Sequence, residues 1–216
     1  MRLPLPWLLL ALVCAAAARA QAPNLLPNGS FDVEGEPLKH WKLKYALEGE
    51  SEYFDNHEFV STVNEGGARK NVLKLHVPAK QAGWEGVKVD SDPVPLQKGK
   101  KYTFSCTAKS SGPDCRILLE GYRWRPGIKP HPNPELHELR KCFKFEQIYF
   151  NDPPGGSFGG VGKAWKTAST TFPKPDMKPL QKEMYEKVEF VVVHAIGIGG
   201  GEGDLWIDDV RIEETK

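Results

Sequence analysis

The sequence has little of what marks nucleic-acid-binding, membrane-spanning or metal-cluster proteins. Its 216 residues carry a formal net charge of only +1, so the charge predicts neither a nucleic-acid nor a membrane-surface partner. After residue 20 no apolar run is long enough to cross a bilayer, which predicts that the chain does not insert into a membrane. The four cysteines do not show the paired spacing of a zinc site, and no glycine-rich nucleotide-binding pattern is present. The sequence therefore predicts a globular domain whose partner is of another class.

The first twenty residues have the organisation of a cleaved signal peptide. Arg2 supplies a positive start, residues 5–18 form an apolar run, and Ala18-Arg19-Ala20 is a small-x-small cleavage site. We therefore expect residues 1–20 to be removed near Gln21 and the protein to be secreted, into the periplasm or the extracellular space. The remaining residues 21–216 fit one domain, because all-β sandwiches reach that length.

Three cysteines remain after this cleavage, and export permits disulfides. Cys106 and Cys115 flank the turn at residues 110–113, where a cross-strand disulfide would be possible if the flanking strands pair directly. The alternative is two buried free thiols that pack as small hydrophobic side chains. In either case Cys142 is left over.

Short strands separated by turns dominate the rest of the chain. In the clearest one, Tyr102, Phe104, Cys106 and Ala108 alternate with polar residues, which is typical of a half-buried strand. Residues 115–122 are expected to return antiparallel to it. About ten to twelve such strands, with almost no amphipathic helix, predict an all-β fold, a β-sandwich of jelly-roll type.

Residues 123–162 break this rhythm and are predicted to form a long irregular insertion. Prolines recur at positions 126, 130, 132 and 134, and a short helix is expected over residues 134–140. A strand is expected over residues 143–150, and a glycine-rich loop follows at 153–162. Long insertions in compact β domains are more often functional than accidental.

The last strand, residues 203–212, contains two adjacent acids. Since side chains alternate along a strand, Asp208 and Asp209 should point to opposite faces, so that one points inward. A buried carboxylate needs a cation, an arginine or several amide donors. The alternative is an edge strand on which both acids are solvated.

Four segments, in the right order, resemble secreted jelly-roll carbohydrate-binding modules of families four, nine and twenty-two, which are galactose-binding-domain-like. The first is Asn24-Leu25-Leu26-Pro27-Asn28-Gly29-Ser30-Phe31-Asp32, with Trp41 downstream. The others are the turn and Tyr-x-Phe strand of residues 95–105, the tryptophan-led segment 164–172, and the closing Ile-Asp-Asp-Val strand within 205–210. The resemblance covers most of the mature chain except residues 123–162.

The resemblance implies a structural calcium ion between the opening segment and the closing strand. Carried over to this chain, its ligands would be the Ser30 carbonyl and the carboxylates of Asp32 and Asp208, with Glu65 as a weaker candidate. Calcium takes six to eight oxygen ligands of this kind. Asp32 departs from the longer glutamate that is common in the family. The alternative is that Asp32 caps a turn while Asp208 accepts backbone amides.

The resemblance also implies binding of a polysaccharide or glycan, in which aromatic rings stack on sugars and polar side chains select among them. The expected ligand-binding residues are Trp84, Glu120, Tyr122, Arg123, Trp124 and Arg125. Trp165 is a further candidate for the sugar surface, although Trp41, Trp165 and Trp206 lie at family positions usually devoted to the core. The alternative is that the aromatic residues are buried. The chain would then be a structural or protein-interaction jelly roll.

Catalysis by the insertion is the remaining alternative, which would make the protein a glycan-active enzyme. His131, Glu135, His137 and Glu138 lie close together in sequence. Their spacing matches no zinc signature, and proline-rich loops position catalytic groups poorly. A solvated charged turn is favoured, so the chain is predicted not to be an enzyme.

Overall fold

The structure is a computed structural model that describes residues 22–45, 54–148, 150 and 161–215. The predicted signal peptide, residues 1–20, and most of the predicted glycine-rich loop lie outside the described residues. Within the part of the chain that is described, no helix is long and apolar enough to cross a membrane.

Strands make up most of the described chain. They are β1 (Trp41–Lys42), β2 (Lys44–Tyr45), β3 (Phe54–Asp55), β4 (Val60–Val63), β5 (Val72–Val77), β6 (Val87–Ser91), β7 (Val94–Pro95), β8 (Tyr102–Ser110), β9 (Asp114–Trp124), β10 (Leu139–Ile148), β11 (Lys166–Phe172), β12 (Phe190–Ile198) and β13 (Gly203–Glu214). The two α-helices are short: α1 (Ala79–Ala82) and α2 (Pro179–Tyr185). Two 3₁₀ turns cover His57–Phe59 and Leu136–Glu138.

The strands form two antiparallel sheets that pack face to face. The first sheet has the order β1-β6-β12-β9-β10, with β7 pairing with β12, and the second has the order β11-β8-β13-β5-β4. A small third sheet pairs β2 with β3. This is the β-sandwich jelly roll that the strand pattern predicted.

One hydrophobic core lies between the two large sheets, and alternation along the strands fills it. In the second sheet, Phe104 and Ala108 of β8 point inward, as the sequence predicted. In the first sheet, Val191, Val193 and Ala195 of β12 point inward. The intervening residues of β12 therefore lie on the outer face of the first sheet.

The prediction that residues 115–122 return antiparallel beside β8 was wrong. The turn after Ser110 carries the chain from β8 in the second sheet to β9 in the first, where β9 pairs with β12 and β10. Cys106 and Cys115 consequently do not form a cross-strand pair. Both are buried free thiols, and burial raises their pKa well above the ordinary range. They therefore agree with the alternative of two buried free thiols, and Cys142 is also free.

The predicted insertion, residues 123–162, is more regular than expected. Its second part contains β10, which pairs antiparallel with β9 and extends the first sheet. Its first part is a loop that ends in the 3₁₀ turn Leu136–Glu138 and not in the α-helix expected over residues 134–140. Glu135 and Glu138 cap this turn reciprocally.

The closing strand β13 lies in the centre of the second sheet, between β8 and β5, so it is not an edge strand. The opening segment is joined to it by hydrogen bonds. The Asn24 side chain donates to the Val210 carbonyl at 2.9 Å and accepts from the Ile212 amide at 2.9 Å. The Val210 amide donates to the Gly29 carbonyl at 2.9 Å. A Cβ at Gly29 would overlap the Val210 carbonyl oxygen, which explains the glycine there.

Candidate functional site

A buried charge cluster lies on the outer face of the first sheet. His194 of β12 is directly opposite Asp90 of β6, and its Nδ1 is 2.7 Å from the Asp90 Oδ1. On the other side, His194 Nε2 is 3.4 Å from Glu120 Oε2, which is an ion-pair distance. Glu120 also accepts a hydrogen bond from the Tyr122 hydroxyl at 2.9 Å and lies 3.3 Å from Lys141 Nζ.

Electrostatics keeps this cluster charged although it is buried. Burial alone would lower the pKa of His194, but Asp90 and Glu120 outweigh it and raise the pKa to about 9. Burial alone would raise the pKa of Glu120, but His194, Lys141 and the Tyr122 hydroxyl lower it to about 2. An imidazolium between two carboxylates is therefore a fixed part of the sheet at neutral pH. Glu120, a predicted ligand-binding residue, is already paired with this imidazolium.

A small hydrophobic cluster covers one end of the same face. Leu136, from the loop after β9, packs against Tyr122, Leu139, Phe190 and Val192. Tyr122 is only 7% exposed as a result, so its ring is not available as a platform for a sugar. Its prediction as a ligand-stacking residue was wrong, because the loop covers the face to which it points.

The neighbouring predicted residues have different surroundings. Trp124 is half-buried: its ring contacts Phe190 edge-on at 5.5 Å between centroids and lies 5.1 Å from the His131 ring. Arg123 and Trp124 line an open cleft of about 790 Å³. Arg125 Nε donates to the Leu139 carbonyl at 2.9 Å, so this group holds the loop against β10.

Trp84 is the most exposed large apolar side chain among the described residues, at 79%. It follows α1 and lies beside a cleft of about 500 Å³. The rest of this cleft is mostly polar and is lined by Asp55, Asn56, Phe59, Lys80, Gln81, Glu85 and Gly86. The indole N–H of Trp84 donates to Glu85 Oε1 at 3.1 Å, which favours one orientation of the ring. The structure places Trp84 apart from the residues of β9 with which it was grouped.

The predicted calcium ligands do come together, but around an arginine. Ser30, Asp32 and Asp208 line a small cavity of about 140 Å³ together with Asp209 and Arg69. The Arg69 guanidinium forms a direct ion pair with Asp208 and lies 3.5 Å from Asp209 Oδ2. The expected inward direction of Asp208 was wrong: the side chain is only 6% exposed, but it lies on the outer face of the second sheet, because the preceding Ile207 points into the core. Burial raises its pKa, and its neighbour's amide and Arg69 act in the opposite direction.

These residues do not fit a calcium ion. The positive charge facing Asp208 is a guanidinium, and Asp32 is 3.5 Å from the Asn71 amide nitrogen. Glu65 forms an ion pair with Lys109 and is not one of the residues that line the cavity. Among the described residues, no group of three acids, histidines or cysteines is arranged to hold a metal. The alternative in which Asp208 accepts backbone amides is met in part, because its Oδ1 accepts the Asp209 amide at 2.8 Å while Arg69 supplies the opposite charge.

Two tryptophans expected in the core lie on the outer face of the second sheet instead. Trp165 and Trp206 are half-buried and alternate with cations. Arg69 is 4.3 Å from the Trp165 ring centroid, and Lys109 Nζ is 5.1 Å from that centroid and 4.7 Å from the Trp206 centroid. The outward position of Trp206 follows from the alternation of β13, since Leu205 and Ile207 point inward. Trp41 is buried, as expected.

The candidate catalytic residues of the loop pair with one another at the surface. His131 Nε2 is 3.0 Å from Glu138 Oε1, and His137 Nδ1 is 3.2 Å from Glu135 Oε2. The amide of Glu135 lowers the pKa of Glu138, and His131 lowers it further. These contacts hold the 3₁₀ turn, which agrees with the charged turn that the sequence favours.

Sequence reasoning missed Asp90, His194 and Arg69. The position of His194 could have been found, because it stands two residues after Val192 in a strand whose other face is apolar. Arg69 follows the Gly66-Gly67 turn, and nothing near it in the sequence identifies Asp208 as its partner.

Comparison with known proteins supports the carbohydrate-binding resemblance. Residues 23–123 match the family model described as a carbohydrate binding domain. No curated protein matches the chain.

Solved structures of similar fold share little sequence with the chain. The enzymatically active domain of tailspike protein 4 of bacteriophage CBA120 is 11% identical, with a TM-score of 0.52; the match covers 89% of this chain and 21% of that one. A family 16 carbohydrate-binding module is 14% identical, with a TM-score of 0.47 and coverage of 88% and 99%. A family 22 xylan-binding domain from Paenibacillus barcinonensis is 13% identical, with a TM-score of 0.44 and coverage of 91% and 97%.

At such identity the tailspike comparison bears on the fold alone, and it agrees with the jelly-roll architecture. The family match includes the opening segment and the strands through most of β9. It supports polysaccharide binding in general terms. It also confirms that this chain resembles the jelly-roll carbohydrate-binding modules, as its opening segment predicted.

Proposed function

We propose that the protein is a secreted, non-catalytic module that binds a polysaccharide or glycan by stacking a sugar ring on Trp84. The observation that carries this proposal is the 79% exposure of the Trp84 side chain. A large aromatic side chain is usually mostly buried, so one that is exposed beside a cleft with polar groups is a candidate for ligand contact. The secreted location rests on the signal peptide predicted at residues 1–20.

The surroundings of Trp84 support a sugar as its ligand. Sugar sites combine an apolar ring face with a few polar groups that fix orientation. Glu85 accepts the indole N–H at 3.1 Å, so the ring is held by its edge and a face is left for a ligand. Lys80 and Gln81 of α1 lie on the rim of the same cleft and offer side-chain hydrogen-bond donors.

Affinity electrophoresis in gels that contain soluble xylan, galactan or β-glucan, together with retention on insoluble polysaccharides, tests the proposal. Replacing Trp84 with alanine should weaken binding about tenfold or more, as expected for a central aromatic anchor. The matched control is Leu180→Ala, because Leu180 of α2 is also exposed, at 67%, and lies elsewhere. Trp124→Ala measures whether the cleft beside β9 contributes to binding separately from the Trp84 cleft.

Three outcomes would contradict the proposal. Failure to bind any polysaccharide would favour a protein-interaction jelly roll. Equal weakening by Trp84→Ala and Leu180→Ala would remove Trp84 as the anchor. Release of new reducing ends from a bound polysaccharide by the purified protein would show that the module is catalytic.

A further inference from the structure

A pocket of about 270 Å³ lies at another edge of the sandwich, between the turn that precedes β8 and the connector that carries α2. Its apolar lining is formed by Leu96, Pro173, Met177, Tyr185 and Val188. Of these, Val188 is buried and the other four are half-buried, so the pocket has a fixed apolar floor.

Lysines form the rim of this pocket. They come from both sides of it and are Lys98, Lys100, Lys101, Lys174 and Lys182, while Glu186 is the acid among the lining residues. Lys100 is paired with Glu214 at 2.6 Å. For Lys98, Lys101 and Lys182, no described acid lies within ion-pair distance, and all three are exposed.

This concentration of charge is local, because the whole chain has a formal net charge of only +1. Lysines that face one cavity repel one another unless an anion lies between them. The rim therefore selects a negatively charged ligand, and the apolar floor selects one that also has a nonpolar surface. An inorganic anion would leave the floor unused.

The size of the pocket limits the ligand further. At about 270 Å³ it is smaller than a typical drug-sized site, so it suits one ring-sized unit and not a long acyl chain. A charged sugar has an apolar C–H face and an anionic group on one ring. The open cleft of Arg123 and Trp124 shares Leu96, Lys98, Glu186 and Val188 with the pocket, so a longer chain has a continuous path.

We propose that this pocket binds the anionic sugar unit of an acidic polysaccharide, with its carboxylate or sulfate on the lysine rim and its ring on the apolar floor. The proposal rests on the proposed glycan-binding function but uses a site separate from Trp84. It assigns a ligand class to the chain: glycans that carry negative charge.

Binding to four polysaccharides, measured by affinity electrophoresis at low and high salt, tests this assignment. Polygalacturonate and dextran sulfate are the carboxylated and sulfated probes, and galactan and dextran are their neutral counterparts. The variant Lys101→Gln/Lys182→Gln removes two rim charges. The control Lys163→Gln/Lys166→Gln removes two exposed charges elsewhere, so both variants have the same net charge.

We expect at least one anionic probe to bind more tightly than its neutral counterpart and to bind less tightly at high salt. The rim variant should weaken that binding about tenfold or more, since each lysine contributes a charge-assisted hydrogen bond. The control should leave it within about twofold of native. Whichever anionic probe depends on the rim identifies carboxylate or sulfate as the recognised group.

Other results overturn the assignment. Equal weakening by both variants would indicate nonspecific attraction, and native binding by the rim variant would exclude the pocket. Binding of neutral probes alone, lost in Trp84→Ala, would refute the acidic ligand while supporting the Trp84 proposal. Anionic binding that persists in Trp84→Ala and is lost in the rim variant supports the pocket alone.

Discussion

Replacing Arg69 with methionine is expected to destabilise the fold by about 2 kcal/mol. Methionine keeps an unbranched side chain beside Trp165 but leaves the buried Asp208 carboxylate without its cation. Breaking a fully buried pair costs about 3–5 kcal/mol. The cost here is smaller because the Arg69 side chain is 26% exposed and Asp208 keeps the amide of Asp209 as a donor. For a chain of this length, about 2 kcal/mol lowers the Tm by about 4–8 °C.

The dependence on pH separates charge from packing. The pKa of Asp208 is raised in the folded state, so the stability gained from its protonated form is lost as the pH rises through the folded-state pKa. Without Arg69 the pKa should rise further. The difference between the native protein and Arg69→Met should therefore be largest near neutral pH and should shrink below about pH 4, where an aspartate is protonated in either state.

Thermal and urea unfolding, each with and without excess chelator, measure these effects. Lys166→Met is the control, since it removes an exposed cation from the same sheet. We expect chelator to leave the native Tm unchanged, because Arg69 supplies the charge that calcium would supply. A Tm that falls with chelator and recovers with calcium would refute this reasoning. A loss that is the same at every pH would show that Arg69 acts by packing on Trp165.

Two further perturbations follow from single contacts. Gly29→Ala should lower stability by about 1–3 kcal/mol, because the added Cβ overlaps the Val210 carbonyl. Gly83→Ala is the control, since the nearest neighbour of its Cβ would be 3.7 Å away. Equal Tm values for the two variants would contradict the close contact between the opening segment and β13. His194→Gln should be destabilising at neutral pH, because the pKa of His194 is raised to about 9 in the folded state. The stabilisation by its charge is therefore fully present below the ordinary histidine pKa of about 6.5 and is lost as the pH rises through about 9. Urea unfolding over this pH range should show the free energies of unfolding of the two proteins converging, and a constant difference would argue against an imidazolium between Asp90 and Glu120.

Local sequence pattern was sufficient for most of the strands but not for the direction of the acid that was expected to point inward. Alternation along β8 and β13 fixes which side chains face the core, and it places Asp208 on the same outer face as Trp206, because Leu205 and Ile207 point inward. The partner could not be read from the same pattern. Arg69 lies 139 residues before Asp208, and only the packing of β13 beside β5 brings the loop that carries Arg69 to the acid.

The ligand residues were harder to predict, for a different physical reason. Strand alternation states which face Tyr122 occupies, but it does not state whether a loop covers that face. Leu136, fourteen positions later and in a proline-rich segment, is the side chain that covers it. The same limit applies to His194, whose carboxylate partners come from two other strands.

The covered face also explains why the proposed binding surfaces lie at the edges of the sandwich. Leu136 and its neighbours fill one end of the outer face of the first sheet, and the His194 cluster occupies its middle with charges that are already paired. A sugar placed there would have to displace these contacts, which would leave buried carboxylates without their cation. At Trp84 no such contact has to be broken for a ring face to be reached. Binding is strongest where the fewest existing contacts must be broken, so the exposed edge that carries Trp84 is favoured over the covered face.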